Sequence, residues 1–385
     1  MQEQHSVKKT FHHSPQNFFT RRLSKLTMNQ LAKKISLQNL KKSSRIVDGF
    51  HNVDQVKRMM FRELLPGMNV SVLSLGGSSF GGVYDEHIDV EECAEIISDT
   101  VRKGINLIDT APWYGQGQSE KIIGHALSRI PRDAYYIFTK VGRYDLDVKG
   151  MFDFRAERVE RSVNESMERL GLDYLDCVQV HDPEFAPCVD VIVNETVPLL
   201  QQLKKDGKIG MIGMTGYDLE IQRDIIERCS DEKGIKIDTS LTYCHYSMND
   251  NTLIEKMKNQ NESFLDFASR NKIGLINASP LSMGLLTNRG PPSWHPATKE
   301  IRDACRDAVS YCESKSIDIA KLAMYFTLSY EDIATTLVSF ATREIADQSI
   351  QYVVRERERE SLRFLCSKTQ LSIETHTGTR HVTLS

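Results

Sequence analysis

The chain has 385 residues, 40% of them hydrophobic and 26% charged, enough apolar material for one large core or two smaller ones and too much for a disordered polypeptide. No apolar run approaches the roughly 18 residues that a membrane-crossing helix needs. Residues 1–58 carry twelve Lys and Arg against three acids, which leaves 37 basic and 49 acidic residues for the rest, so broad binding to a phosphate backbone is not expected.

The first 58 residues are rich in Ser, Gln, Asn and Lys, with a weak amphipathic spacing through Leu23, Leu26, Leu31 and Ile35. They read as a basic, disordered extension outside the fold. A mitochondrial-type presequence and a docking peptide for a membrane surface or partner are the alternatives. No apolar signal-peptide core stands near the start. The eight cysteines (Cys93, Cys177, Cys188, Cys229, Cys244, Cys305, Cys312, Cys366) form no CxxC pair and no metal-ligand spacing. That pattern suits reduced thiols, a cytoplasmic location and no metal site.

From residue 61 the pattern alternates strand and helix. Phe61–Leu65, the turn Pro66-Gly67-Met68-Asn69 and Val70–Leu73 predict a hairpin leading into the first of eight short apolar strands. These strands are expected at Val72–Gly76, Ile105–Asp109, Tyr136–Lys140, Leu175–His181, Lys208–Thr215, Ile237–Cys244, Ile273–Ser279 and Thr336–Phe340. Helical spacing covers Val90–Lys103, Ser119–Leu127, Ala156–Leu170, Asn194–Asp206, Glu220–Cys229, Thr252–Arg270, Lys299–Ser314, Ile317–Leu328 and Arg343–Arg359. Eight strands with trailing helices is the count of an α/β (β/α)8 TIM barrel, expected over residues 59–360, with 361–385 as a C-terminal tail. A doubly wound sheet is the alternative. It is weakened because Gly76-Gly77-Ser78-Ser79-Phe80-Gly81, after the first strand, lacks the GxGxxG spacing.

In such a barrel all strands aim their C-terminal ends at one face, where reactive groups collect. The second strand ends at Asp109, the third at Lys140 and the fourth at His181, and Tyr114 lies in the Pro/Gly-rich turn after Asp109. Any one of these alone reads as a cap, a solvated cation or a core histidine. Four at successive strand ends point to chemistry. A phenol can pass a proton to or from a carbonyl oxygen, but its reference pKa of about 10 is high for that task. The expectation is that Lys140 lowers the pKa of Tyr114, Asp109 holds Lys140, and His181 orients the oxygen by a hydrogen bond.

The segments GINLIDTAPWYG, FTKVGRY, RSVNESMERLGLDYLDCVQVHD and GKIGMIGMTG resemble the aldo-keto reductase family, over about Phe61 to Val353. The resemblance implies an Asp–Tyr–Lys–His catalytic tetrad at Asp109, Tyr114, Lys140 and His181. TGYDLE, LTYCHYSMND, ASPLSMGLLTNRGPPSWHPA and AKLAMYFTLSYEDIATTLV are most similar to the branch of L-galactose and other aldose 1-dehydrogenases. That likeness implies hydride transfer between a nicotinamide cofactor and C1 of an aldose or a small aldehyde. The chain is expected to act as a monomer on this small-molecule substrate, without nucleic acid or membrane span.

The same resemblance implies cofactor contacts from Asp109, Thr215, Gly216, Ser279, Leu281 and Gly284, and from Thr342, Arg343 and Ser349 after the eighth strand. Thr215-Gly216 stands where the family carries Ser-Asn. Leu241 replaces a glutamine, and Ala278 replaces the tyrosine that stacks on nicotinamide. Ser339 and Ile345 occupy positions where NADP-preferring members carry Lys and Arg, leaving Arg343 alone for a 2′-phosphate. The expectation is NAD over NADP. The alternative function is a regulatory subunit resembling potassium-channel β subunits, motivated by the basic extension.

Overall fold

The computed structural model describes residues 44–84, 88–340 and 342–354, together with the backbone of 371–376 and 379–384. Expectations for residues 1–43 and for 355–370 lie outside the described residues.

Two antiparallel strands, β1 (Phe61–Leu65) and β2 (Met68–Ser71), form the expected hairpin, paired from Phe61↔Ser71 to Leu65↔Met68. Eight parallel strands then close into a barrel: β3 (Leu73–Gly76), β4 (Leu107–Asp109), β5 (Tyr136–Val141), β6 (Leu175–His181), β7 (Ile209–Gly216), β8 (Thr239–Tyr243), β9 (Gly274–Ala278) and β10 (Thr335–Ser339). The closing seam is β10 against β3. The helices are α1 (Val90–Arg102), α2 (Gln118–Leu127), α3 (Ala156–Leu170), α4 (Val197–Lys205), α5 (Leu219–Lys233), α6 (Phe264–Arg270), α7 (Lys299–Ser314), α8 (Ile319–Leu328) and α9 (Arg343–Val354). Beyond them, β11 (Leu371–His376) and β12 (Thr379–Leu384) pair antiparallel.

Strand alternation sorts the side chains into two cores. Leu107, Tyr136, Phe138, Cys177, Leu241, Ile276 and Leu337 fill the barrel interior, and Leu64, Met68 and Val70 of the hairpin join them and plug its N-terminal end. Their odd-register neighbours, such as Leu75, Ile108, Ile137, Val178 and Ile212, face the helices. With Leu107 and Tyr136–Phe138 pointing inward, Asp109 and Lys140 two residues on must also point inward, one layer higher. The same count carries Cys177 to Gln179 and His181, and Leu241 to Tyr243.

Helix starts follow their caps. Asp89 accepts from the Glu91 and Glu92 amides at the head of α1, and Thr298 accepts from Ile301 at the head of α7. The helix expected over Thr252–Arg270 is a correction. Only Phe264–Arg270 is α-helical, preceded by a 3-10 turn at Thr252–Ile254 and a Lys256↔Ser263 bridge. The polar run around Asn259, itself at φ 59, turns the chain, and Ser263 and Asp266 form a capping box that starts the helix late.

Residues 44–58, expected as part of the extension, pack against the barrel. Arg45 lies over the Tyr136 ring at 3.9 Å, donates to the Tyr135 carbonyl at 2.7 Å and pairs with Asp176 at 3.0 Å. The Ser44 carbonyl accepts from Asn106, and Val56 is buried. Residues 44–58 therefore belong to the compact unit that contains the barrel.

Candidate active site

Asp109 and Lys140 form a fully buried ion pair at the barrel mouth, through Oδ1 and Nζ. The Lys140 ammonium also donates to the Thr110 carbonyl at 2.8 Å, and the Gln179 amide donates to the other oxygen of Asp109 at 2.6 Å. Tyr114 reaches this pair from the turn after β4. The turn is tied by Tyr114 N to the Ala111 carbonyl (3.1 Å) and Ser119 N to the Tyr114 carbonyl (3.2 Å). Its shape needs Gly115 at φ 62, and a Cβ on Gly81 would lie 2.6 Å from the Tyr114 carbonyl carbon, so the β3 loop touches this turn backbone to backbone. The Lys140 ammonium sits 4.8 Å from the centroid of the Tyr114 ring, and the His181 ring stands edge-on to it at 6.0 Å and 88°. The four residues expected together are together.

The electrostatics correct one expectation. Burial pushes the Tyr114 phenol well above its usual range, Asp109 and Asp182 push the same way, and the opposing cation is Arg143. Lys140, engaged by Asp109 and by the Thr110 carbonyl, does not offset the burial. Burial raises the Asp109 carboxyl against the pull of Lys140. His181 is pushed well below its usual range by burial and by Lys140 and Arg143, so its imidazole is neutral near pH 7.

Sequence reasoning missed the residues beside the four. Arg143 lies over the Trp113 ring at 3.6 Å and pairs with Asp182 at 2.6 Å. Asp182 follows His181 directly, at φ 51, and its carboxylate is 3.8 Å from His181 Nε2. Burial raises the Asp182 carboxyl to about 6, against Arg143. Tyr217 faces this pair and meets Tyr243 edge-on at 5.4 Å. The signal for them was spacing, since each of Trp113, Arg143 and Asp182 sits within three residues of a predicted site residue.

The expected cofactor contacts fall in three places. Thr215 is buried at the end of β7, level with His181, and Gly216 follows it against Pro183 and Glu184. The loop after β9 carries Ser279, Leu281 and Gly284, with left-handed backbone at Ser279 (φ 61), Ser282 (φ 48), Met283 (φ 50) and Gly284 (φ 93). Thr342 caps α9 by accepting from Ile345 at 3.3 Å. Arg343 reaches back to Glu95 (3.0 Å) and Asp99 (3.6 Å) of α1, and Ser349 is buried on the packed side of α9. At the mouth, Gln179 Oε1 and His181 Nδ1 are buried without a protein hydrogen-bond partner, and a polar group of a bound cofactor or substrate would satisfy them.

A closed eight-stranded barrel with this constellation at the C-terminal ends of its strands defines an oxidoreductase of the barrel type. The Aldo/keto reductase family model matches residues 72–363, and the chain belongs to that family. It is 40% identical to the L-galactose dehydrogenase of Arabidopsis thaliana over 298 residues, covering 77% of this chain and 87% of the relative. It is 35% identical to the D-arabinose 1-dehydrogenase of Saccharomyces cerevisiae, covering 68% of this chain and 76% of that protein. Among solved structures, an aldo-keto reductase of Bacillus halodurans in its holo form superimposes with a TM-score of 0.63 at 23% identity, over 80% of this chain and 96% of that one, a likeness of fold.

Proposed function

We propose that this chain is an NAD-dependent aldose 1-dehydrogenase that oxidises the C1 hydroxyl of a cyclic aldose, L-galactose or a close relative, to the lactone. The observation that carries the reading is the gathering of Asp109, Tyr114, Lys140 and His181 at one barrel mouth in a chain so similar to two aldose dehydrogenases. The nicotinamide, when bound, supplies the hydride acceptor. The protein's part is to hold C1 in place and to handle one proton. As the C1–H hydride leaves and the C=O bond forms, the hydroxyl proton passes to Tyr114 in its phenolate form, and in the reverse direction the Tyr114 phenol returns it. Neutral His181 donates a hydrogen bond to the same oxygen, and the Lys140–Asp109 pair fixes the floor on which the phenol stands.

Two observations support NAD. Arg343, the one cation near the start of α9 that the sequence offers to a 2′-phosphate, already pairs with Glu95 and Asp99. Ser339 is engaged with the Ser78 hydroxyl at 2.7 Å and brings no charge. The likenesses do not favour the regulatory-subunit alternative. The test is a panel of aldoses and simple aldehydes, each run with NAD and with NADP, following absorbance of the reduced nicotinamide. L-Galactose oxidation with NAD is the expected leading activity. Turnover of aldehydes only, with no aldose oxidised, would overturn the reading.

A further inference from the structure

We propose that Arg143 and Asp182, laid against Trp113, form the subsite that selects a polyhydroxylated ring, receiving sugar hydroxyls next to the carbon that exchanges hydride. The proposal deepens the aldose reading and rests on it.

The pair is placed by the same strand ends that place the chemistry. Arg143 lies three residues beyond Lys140, Asp182 follows His181, and Trp113 precedes Tyr114. The Trp113 ring is 6.2 Å from Tyr114 and 6.4 Å from His181, edge-on to both. Its own face is covered by the Arg143 guanidinium. Whatever lies against Tyr114 and His181 therefore meets these three side chains next.

The pair joins side chains at the strand ends and ties no backbone carbonyl. Two other arginines of this fold tie elements together through backbone carbonyls. Arg62 donates to the carbonyls of Leu328, Tyr330 and Ile333, and Arg45 to those of Arg132 and Tyr135. The Arg143–Asp182 bond joins two side chains, and Asp182 caps nothing although it stands at the head of the 3-10 turn Pro183–Phe185. A buried ion pair of this kind is weak evidence for stability, because desolvation offsets the attraction. Asp182 is held in the left-handed region as well, a conformation that costs a non-glycine residue and persists where the surroundings impose it.

The hydrogen-bonding inventory points to the ligand. Arg143 Nε and Trp113 Nε1 are buried donors without a partner, and the Asp182 carboxylate is an acceptor with room for more than the one bond from Arg143. A sugar hydroxyl donates and accepts at once, so one hydroxyl can bridge the carboxylate and a neighbouring donor. The planar Arg143 fork can take two oxygens side by side, as vicinal hydroxyls present them. An aldehyde with a bare hydrocarbon side would leave these groups unpaired, and a site built to bond a substrate hydroxyl discriminates strongly against its absence.

The test crosses variants with deoxy substrates. Wild-type protein is assayed with an aldose it oxidises and with that sugar's deoxy analogues, one position at a time. Loss of the hydroxyl served by the pair should lower kcat/KM by roughly 10²-fold, as for hydrogen bonds to charged groups. In Asp182→Asn and Arg143→Lys the parent sugar should fall by a similar factor, and the gap between parent and that deoxy analogue should close to within about threefold. Arg143→Lys keeps the charge and removes the fork, which guards against misfolding of the Asp182 variant; thermal melting and quenching of protein fluorescence by NAD confirm that each variant folds and binds nucleotide. A flat deoxy series in wild type, or losses that multiply independently in the variants, would overturn the subsite. Absence of any aldose oxidation in wild type would instead overturn the aldose reading.

Discussion

Tyr114 carries a phenol that burial and two carboxylates hold in its protonated form. A proton donor at neutral pH suits carbonyl reduction directly, whereas oxidation needs the base form, whose population grows with pH. Oxidation of an aldose is therefore expected to rise with pH through the alkaline range while reduction of an aldehyde does not, as pH profiles in both directions would show. Tyr114→Phe should lower turnover by roughly 10²–10⁴-fold with NAD still bound; unchanged turnover would remove the proposed role. Asp182 predicts the opposite limb. The groups facing its carboxylate are Arg143, Lys140, His181, Glu184, Tyr114 and Tyr217, and burial among them raises it to about 6. A raised carboxyl is charged above that value and protonated below it, so sugar kcat/KM should fall as pH drops through about 6, and Asp182→Asn should flatten that limb. For folding the sign reverses: the buried carboxylate is a cost at neutral pH, relieved as pH falls toward its unfolded value of about 4.

At the scale of one element, α6 shows how a cap overrides a run of helix-compatible residues. Residues 252–262 carry enough apolar spacing to suggest a long helix, but Ser263 and Asp266 satisfy each other's backbone amides and start α6 at Phe264. Phe264, Leu265, Phe267 and Ala268 bury the short helix against the barrel. Ser263→Ala should cost about 1 kcal/mol in a denaturant titration, the usual worth of such a cap. A loss near zero would mean that burial of Phe264 and Phe267 alone sets the helix start.

For the molecule as a whole, the barrel is closed at its lower end by a hairpin and by a segment that composition assigned to the extension. Arg45 covers Tyr136 inside the barrel and bonds to two carbonyls and Asp176, while Arg62 bonds to three carbonyls around the end of α8. A chain starting at Ser44 is expected to melt cooperatively and keep its turnover. A chain starting at Met59 keeps Arg62 and the hairpin but loses the Arg45 ties, uncovers Tyr136 and should melt several degrees lower. Equal melting temperatures for the two would show that residues 44–58 contribute nothing to the barrel.

Local pattern determined much of this protein. The strand ends at Asp109 and His181, the helix Ala156–Leu170 and the barrel count follow from apolar runs and their period, because burial on a closed sheet leaves that imprint residue by residue. The gathering of Asp109, Tyr114, Lys140 and His181 was legible for the same reason, since parallel strands share one C-terminal face. What only the tertiary structure decided is how the charges are spent. Lys140 is held by Asp109, burial lifts the phenol despite the ammonium beside it, and Arg143 finds Asp182 across two strands. A pKa or an ion pair depends on distances between residues far apart in the chain and on the water excluded around them, and neither quantity is written in spacing along the sequence.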